Sequence, residues 1–253
     1  MLLRFCGALA ALWVPLLACA APAAAPVARI EGAVHAPSAT PITGQARLAD
    51  LILQARPRGD AYLLGGSFQR EQARAQQLRL RAGVAYDLEQ LSKAEDAAVR
   101  SAAETLSQWL DEHPATGRIP QALSPRLMQA QPQQNPVLEA GDVLTIPTRP
   151  QTIHVMGAVG RPCTLPHAPQ RDALDYLRDC PATPAADPSD LYVIQPDGRV
   201  QLLGIALWNR ADPQSVAPGG TLFVPVRASA LPSVDSAFNR EFAAFIATQP
   251  VTP

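Results

Sequence analysis

Apolar positions along this chain fall into short runs that switch between a period of two and a period of about 3.6. Ile153-His154-Val155-Met156-Gly157-Ala158-Val159 alternates, is rich in β-branched residues, and stops at Gly160-Arg161-Pro162, where proline withdraws a ladder donor. That pattern predicts a strand, and a second short strand is expected around Cys163 to Pro166. From Arg171 to Asp179, Ala173, Leu174 and Leu177 share one face at helical spacing, and Pro181 and Pro184 end the helix. Leu191 to Ile194, then Pro196-Asp197-Gly198, then Val200 to Leu203 predict a hairpin: proline presets one turn dihedral and glycine admits positive φ. Thr221 to Pro225 closes the unit. Strand, strand, helix, strands is the order of a β-grasp fold, a curled sheet over one helix.

The same order occurs earlier in the chain. Gly32-Ala33-Val34, Pro37, Pro41 and Asp50 match Gly157-Ala158-Val159, Pro162, Pro166 and Asp175, each at an offset of 125 residues. The first copy reads as a strand from Val27 to Val34, a second at Thr40-Pro41-Ile42, and a helix from Arg47 to Ala55 with Leu48, Leu51 and Ile52 inward. It continues through Ala61 to Leu64 and Phe68. Its closing segment, Gly141 to Pro147, recurs as Gly219 to Pro225 at an offset of only 78, so 47 residues are inserted in the first copy.

The insertion is helical in pattern. From Arg70 to about Leu91, Leu78, Val84, Leu88 and Leu91 form a stripe. Ser92 with Glu95 is a capping-box pair that would start a second helix, with Val99, Ala102, Ala103, Leu106 and Leu110 on one face until His113-Pro114. This hairpin is expected to pack on the first sheet or to be presented to a partner. Val234, Phe238, Phe242, Phe245 and Ile246 predict an amphipathic tail helix that docks on one of the units. It lacks the Lys/Arg face of a membrane-surface anchor. The fold expected is α+β: two tandem β-grasp domains over residues 27–150 and 151–228, a helical insertion at about 70–118 in the first, and a C-terminal amphipathic helix at 231–248.

Residues 1–20 read as a secretory signal: Arg4, an apolar run from Phe5 to Ala18, then small residues. Leu16-Leu17-Ala18-Cys19 fits a lipobox with Cys19 lipidated, and Ala18-Cys19-Ala20 fits an ordinary cut before Ala21. Both imply export, to the periplasm as a soluble protein or as an outer-membrane lipoprotein, with membrane contact only through such an anchor. Export makes a disulfide the simplest state of Cys163 and Cys180. With 21 basic and 22 acidic residues the chain has no counterion-releasing surface, so a nucleic-acid partner is excluded.

No catalytic constellation stands out: there is no nucleophile elbow, phosphate loop or His-Glu-x-x-His pair, and neither a cofactor nor a metal is called for. A glycosidase would need two carboxylates facing each other across a sugar. Asp50 and Asp175 recur on first helical turns, where the helix dipole alone accounts for them. The best candidate for sugar contact is Trp208 with Asn209, and Tyr192 on the preceding hairpin, although the Leu-Gly-Ile-Ala-Leu run before Trp208 favours a core position. Arg118 and Arg126 follow the helical insertion and suit an anionic sugar, a partner's carboxylates or a structural salt bridge.

The paired Gly-Ala-Val…Pro segments, the Leu-Ala-Asp-Leu helix, Gln195-Pro196-Asp197-Gly198, Trp208-Asn209, and Pro136…Gly141-Asp142 leading to Ile146-Pro147 resemble the GfcC-like capsule-biosynthesis family. Its β-grasp units are similar to the soluble-ligand-binding (SLBB) repeats of Wza-type polysaccharide exporters. The resemblance implies a non-enzymatic periplasmic protein of capsule or extracellular polysaccharide assembly or export. Its partners would be the polysaccharide or export-machine proteins. The alternatives are a periplasmic glycan-modifying enzyme and a purely structural assembly subunit.

Overall fold

The computed structural model describes residues 27–42, 44–231 and 235–251. The expected signal, Cys19 and Val234 lie outside the described residues. Two mixed sheets and several helices make an α+β chain. The first sheet has the order β2-β1-β4-β3, from β1 (Val27–Gly32), β2 (Ser38–Pro41), β3 (Ser67–Gln69) and β4 (Val143–Ile146). The second has the order β6-β5-β9-β7-β8, from β5 (Thr152–Gly157), β6 (Cys163–Pro166), β7 (Asp190–Ile194), β8 (Val200–Gly204) and β9 (Thr221–Val224). In each sheet the opening strand pairs antiparallel with the next and parallel with the closing strand.

The sequence repeat survives as a repeat of hydrogen bonds. Ala33 N donates to Ile146 O at 2.7 Å, and Ala158 N donates to Val224 O at 2.8 Å. Phe68 faces Leu144 in the first sheet as Val193 faces Leu222 in the second, keeping both offsets. At Gly32 and Gly157, both at positive φ, an added Cβ would lie 2.2 Å from Ile146 O and 2.1 Å from Val224 O. The closing strand passes too near for any side chain there.

Helix α1 (Leu48–Ala55) covers the first sheet with Leu48, Leu51 and Ile52. Asp50 in its first turn accepts the Arg47 N–H. The corresponding segment of the second unit is a 3₁₀ helix, Ala173–Arg178, rather than the α-helix expected, and Tyr176 fills the core in place of Leu174 while Leu177 packs half-buried against it. The Tyr176 hydroxyl accepts the Ala168 N–H at 2.8 Å, which satisfies its polar end.

Between β3 and β4 run α2 (Glu71–Leu91), α3 (Ala97–Glu112) and the short α4 (Pro125–Ala130). The α2–α3 hairpin does not join the core of the first sheet. Val84, Leu88, Val99 and Leu106 belong to one core with the second sheet and with α5 (Phe238–Ala247). The reason is supply and demand of apolar surface. In β1 only alternate residues are buried, whereas Leu222, Phe223 and Val224 of β9 are all buried, so the second sheet has two apolar faces to cover. The tail helix docks on this second unit, with Phe242 stacked on Phe223 at 5.2 Å and 5.6 Å from Trp109.

Two local expectations fail. Helix α3 is capped by Asp96, whose carboxylate accepts Ala98 N at 2.7 Å, while Ser92 ends α2. Leu78 points outward at 52% exposure, and Gln77 takes the inward place. Gln77 donates to Arg118 O and accepts from Gly117 N, both at 2.7 Å, so its polar end is satisfied.

Candidate functional site

The residues singled out for chemistry do not form one site. Trp208 is 79% exposed and Leu207 91%, which overturns the core position expected for Trp208. The chain leaves β8, the edge of its sheet, before reaching them, so among the described residues no second layer covers these side chains. The loop that presents them is nevertheless braced. Asn209 Oδ1 accepts Ala206 N at 3.0 Å, and its Nδ2 donates to Ser189 O at 3.1 Å and Asp190 Oδ1 at 3.3 Å. Asn209 is thus a support for the Trp208 loop. Tyr192 turns instead to Phe223, at 5.9 Å, beside the aromatic cluster under α5. Burial, then Asp190, pushes its phenol up.

Arg126 is exposed on α4. Arg118 is not on the surface at all: it is 2% exposed. Its Nη1 donates to Ala247 O and Gln249 O, and its Nη2 to Gly66 O and Pro196 O. A contact with a partner's carboxylates at the surface, and equally a salt bridge, does not fit that position. Arg118 instead ties the end of α5, the β7–β8 turn and the approach to β3 to one point. Burial lowers its guanidinium to about 10, so it stays charged at neutral pH. Gly198 in the β7–β8 turn shows how tightly these pieces meet, since an added Cβ would lie 2.5 Å from Pro120 and 2.9 Å from Ala247 O.

Beside Arg118 lies a cavity of about 270 Å³. Its walls come from the end of α3, β5, the start of β6, the end of β7 and the chain after α5. Trp109 and His113 stack at 4.0 Å on one side, with His113 Nδ1 donating to Trp109 O. His154 also lines it, its imidazole held below the usual range by burial and then by His113. The lining contains no Asp or Glu. Sequence reasoning missed this cavity because its residues come from six separated segments.

Cys163 and Cys180 are joined, with their sulfurs 2.05 Å apart, and tie the start of β6 to the second residue after the 3₁₀ helix. Among the described residues no group of His, Cys, Asp and Glu could hold a metal ion, and no helix is long and apolar enough to cross a membrane.

Two family models match the chain, "Capsule biosynthesis GfcC, N-terminal" over residues 33–146 and "Capsule biosynthesis GfcC C-terminal" over residues 161–250. A relative in Escherichia coli (strain K12), "Uncharacterized protein YjbG", is 30% identical over 203 residues, 79% of this chain and 81% of the relative. The chain belongs to the GfcC capsule-biosynthesis family. The border between the two GfcC models falls after β4 and takes in β5, the opening strand of the second sheet. The α2–α3 hairpin therefore lies within the N-terminal GfcC region while packing on strands of the C-terminal one.

Proposed function

We propose that this protein is a non-catalytic periplasmic component of capsule or extracellular polysaccharide assembly or export, and that it binds polysaccharide or an export-machine protein. Family membership supports the pathway. The sheet order and the single helix over the opening strands support reading both units as β-grasp domains, over 27–150 and 151–228. The observation that carries the binding role is the Leu207–Trp208 tip: two large apolar side chains stand in water on a loop that three hydrogen bonds hold rigid. A preorganised, exposed tryptophan is a stacking surface for a sugar ring or an anchor for a partner, obtained at little entropic cost. A purely structural role through α5 has less support, since Phe238, Phe242 and Phe245 are already buried within the chain.

The test is capture of partners from an envelope extract, with glycan-array binding on the same sample, for the mature protein and for Trp208→Ala. The substitution should leave stability within about 0.5 kcal/mol, as expected at an exposed position, and should abolish either partner capture or glycan signal. Unchanged capture and unchanged glycan signal would remove the Trp208 tip from the binding role.

A further inference from the structure

The second sheet ends on a strand whose outer edge the fold leaves open. Ile205 N donates to Ser189 O and Gln195 N to Arg199 O, which sets the phase of the antiparallel β7–β8 ladder. Alternate residues bond across such a ladder. Gln201 and Leu203 therefore bond to β7, whereas the N–H and C=O of Val200 and Leu202 point away from it, at the border of the sheet. The open window closes at Gly204, whose carbonyl accepts the Ala211 N–H at 2.9 Å. Within it the Leu202 side chain is 54% exposed.

Exposed edges are ordinarily blunted by proline, by charge, by short length or by a covering segment. Among the described residues the other edge strands follow that rule: β2 contains Pro41, β6 ends on Pro166, and β3 spans only Ser67–Gln69, with Ile119 N donating to Phe68 O. Only β8, Val200–Gly204, has neither proline nor charge nor cover. An edge left able to pair is the complement of an extended segment.

Charge and space select the occupant. Arg199, just before β8, and Arg210, just past the Trp208 tip, are exposed, and among the described residues neither is in an ion pair. Asp190 and Asp197 are half-buried and already accept Asn209 Nδ2 and the Arg199 N–H, and Asp212 follows Arg210 without pairing with it. Arg210 Nη2 stands 3.4 Å from Ile205 O, so the open window has a cation at each end. A second copy does not suit it. Paired antiparallel about Leu202, it would set its own Arg199 opposite Ile205, beside Arg210, and its Val200 in the place that Ala211 takes at Gly204. The chain's own Ala20–Pro26 stretch has two prolines and no acid. We infer that the β8 edge takes an extended segment of a partner protein, apolar at alternate positions and acidic at both flanks. Its backbone pairs with Val200 and Leu202, and its carboxylates meet Arg199 and Arg210. The export machinery as the source of that segment rests on the proposed assembly role, whereas the strand and its charges rest on the edge alone.

The experiment adds the synthetic peptide acetyl-Glu-Thr-Val-Thr-Val-Thr-Glu-amide to the full mature protein, ¹⁵N-labelled, and follows amide shifts and hydrogen exchange at Val200 and Leu202. The peptide should bind with a Kd of about 1 mM or tighter, as for a short strand held by a few main-chain hydrogen bonds, and should slow exchange at both amides. Its counterpart with lysine at both ends should bind about tenfold more weakly, since two attractions become two repulsions. Arg199→Glu should weaken the acidic peptide about fivefold. Leu202→Pro removes a donor that β7 does not use and should abolish binding; the arginine variant carries the test when the proline variant does not fold. Unprotected Val200 and Leu202 amides overturn the inference, as does equal binding of the two peptides. Protection that rises with protein concentration in the absence of peptide marks a second copy on the edge and overturns the choice of occupant. Both amides should stay protected by peptide in Trp208→Ala, so this reading and that of the Trp208 tip fail separately.

Discussion

The two sheets share strand order, register and the glycine under the closing strand, yet one is covered on a single face and the other on both. In the first, Arg29 and Glu31 of β1 face water while Ala28 and Ile30 are buried. In the second, Leu222 of β9 packs with the 3₁₀-helix core, and its neighbour Phe223 meets Phe242 of α5. The hairpin inserted in the first unit is part of the second cover. Duplication therefore produced a scaffold whose halves are joined by exchange: one half donates its insertion, and the other uses it as a missing layer. Arg227 reinforces the exchange, reaching Asp96 at the start of α3 with an Nη2–Oδ2 distance of 2.6 Å.

The largest effect should come from removing that layer's anchor. Phe242 is fully buried and contacts Trp109, Phe223 and Phe238. Phe242→Ala should cost about 4 kcal/mol, as for a large buried aromatic truncated to a cavity, measured by denaturant unfolding. Hydrogen exchange should show β5 and β9 amides losing protection while β1 and β4 keep theirs. Equal loss in both sheets would mean that they unfold as one unit and that the asymmetry has no energetic meaning.

A smaller effect tests the opposite face of the second sheet. Cys163–Cys180 closes a separation of 17 residues, and replacing both cysteines by serine should cost about 3 kcal/mol on the chain-entropy argument. The positions equivalent by the 125-residue offset are Ser38 and Ala55, so the first unit has no such staple. A reductant should therefore lower the stability of the second unit and leave exchange in the first unchanged.

One polar device differs between the halves in an instructive way. In the first, Arg70 donates to Val137 O while Asp142 accepts Glu139 N, and the two side chains form a bidentate pair at 2.9 and 2.7 Å. Applying the two offsets, the second half places Gln195 opposite Arg70, and its single amide donates to Ser215 O and accepts Ala217 N. A neutral amide performs both tasks that the ion pair divides. Asp142→Asn should cost about 2 kcal/mol, less than the roughly 3–5 kcal/mol of a fully buried pair because Arg70 keeps Glu139. The double change Arg70→Gln with Asp142→Gly, which copies the second half, should recover part of that loss in thermal unfolding.

Much of this was legible in the sequence. The two offsets carried the repeat, and the alternation of β1 against the unbroken apolar run Leu222-Phe223-Val224 carried the extra cover, although only in hindsight does that run say where the hairpin goes. Trp208 stands in water although Leu203 and Ile205 before it are apolar, because β8 is an edge strand and, among the described residues, nothing packs beyond it. The fate of Arg118 had no signal: arginine is rarely buried, and the four carbonyls that hold it come from parts of the chain remote in sequence. Cap choice at α3 depended on competition between Ser92 and Asp96, four residues apart, which local pattern does not decide.

The smallest effect, and the most specific to the cavity, is the titration of His154. Burial and then His113 lower its pKa from 6.5, so the folded protein resists a proton that the unfolded chain accepts. Above the unfolded value both states are neutral and the group makes no difference to stability. As pH falls below 6.5 the unfolded state gains the proton first, and stability declines until pH has passed the lowered folded value. The paired carboxylates Asp60, Glu89 and Asp96 also lose stabilisation in acid, but their pKa values are lowered from ordinary values of 3.8 for the two aspartates and 4.5 for the glutamate, so their loss comes at still lower pH. Asp87 and Asp190, raised chiefly by burial, work in the opposite direction. A decline that sets in as pH falls below 6.5 and vanishes in His154→Gln therefore belongs to this one imidazole. Persistence of the same slope in the variant would leave His154 as a silent part of the wall.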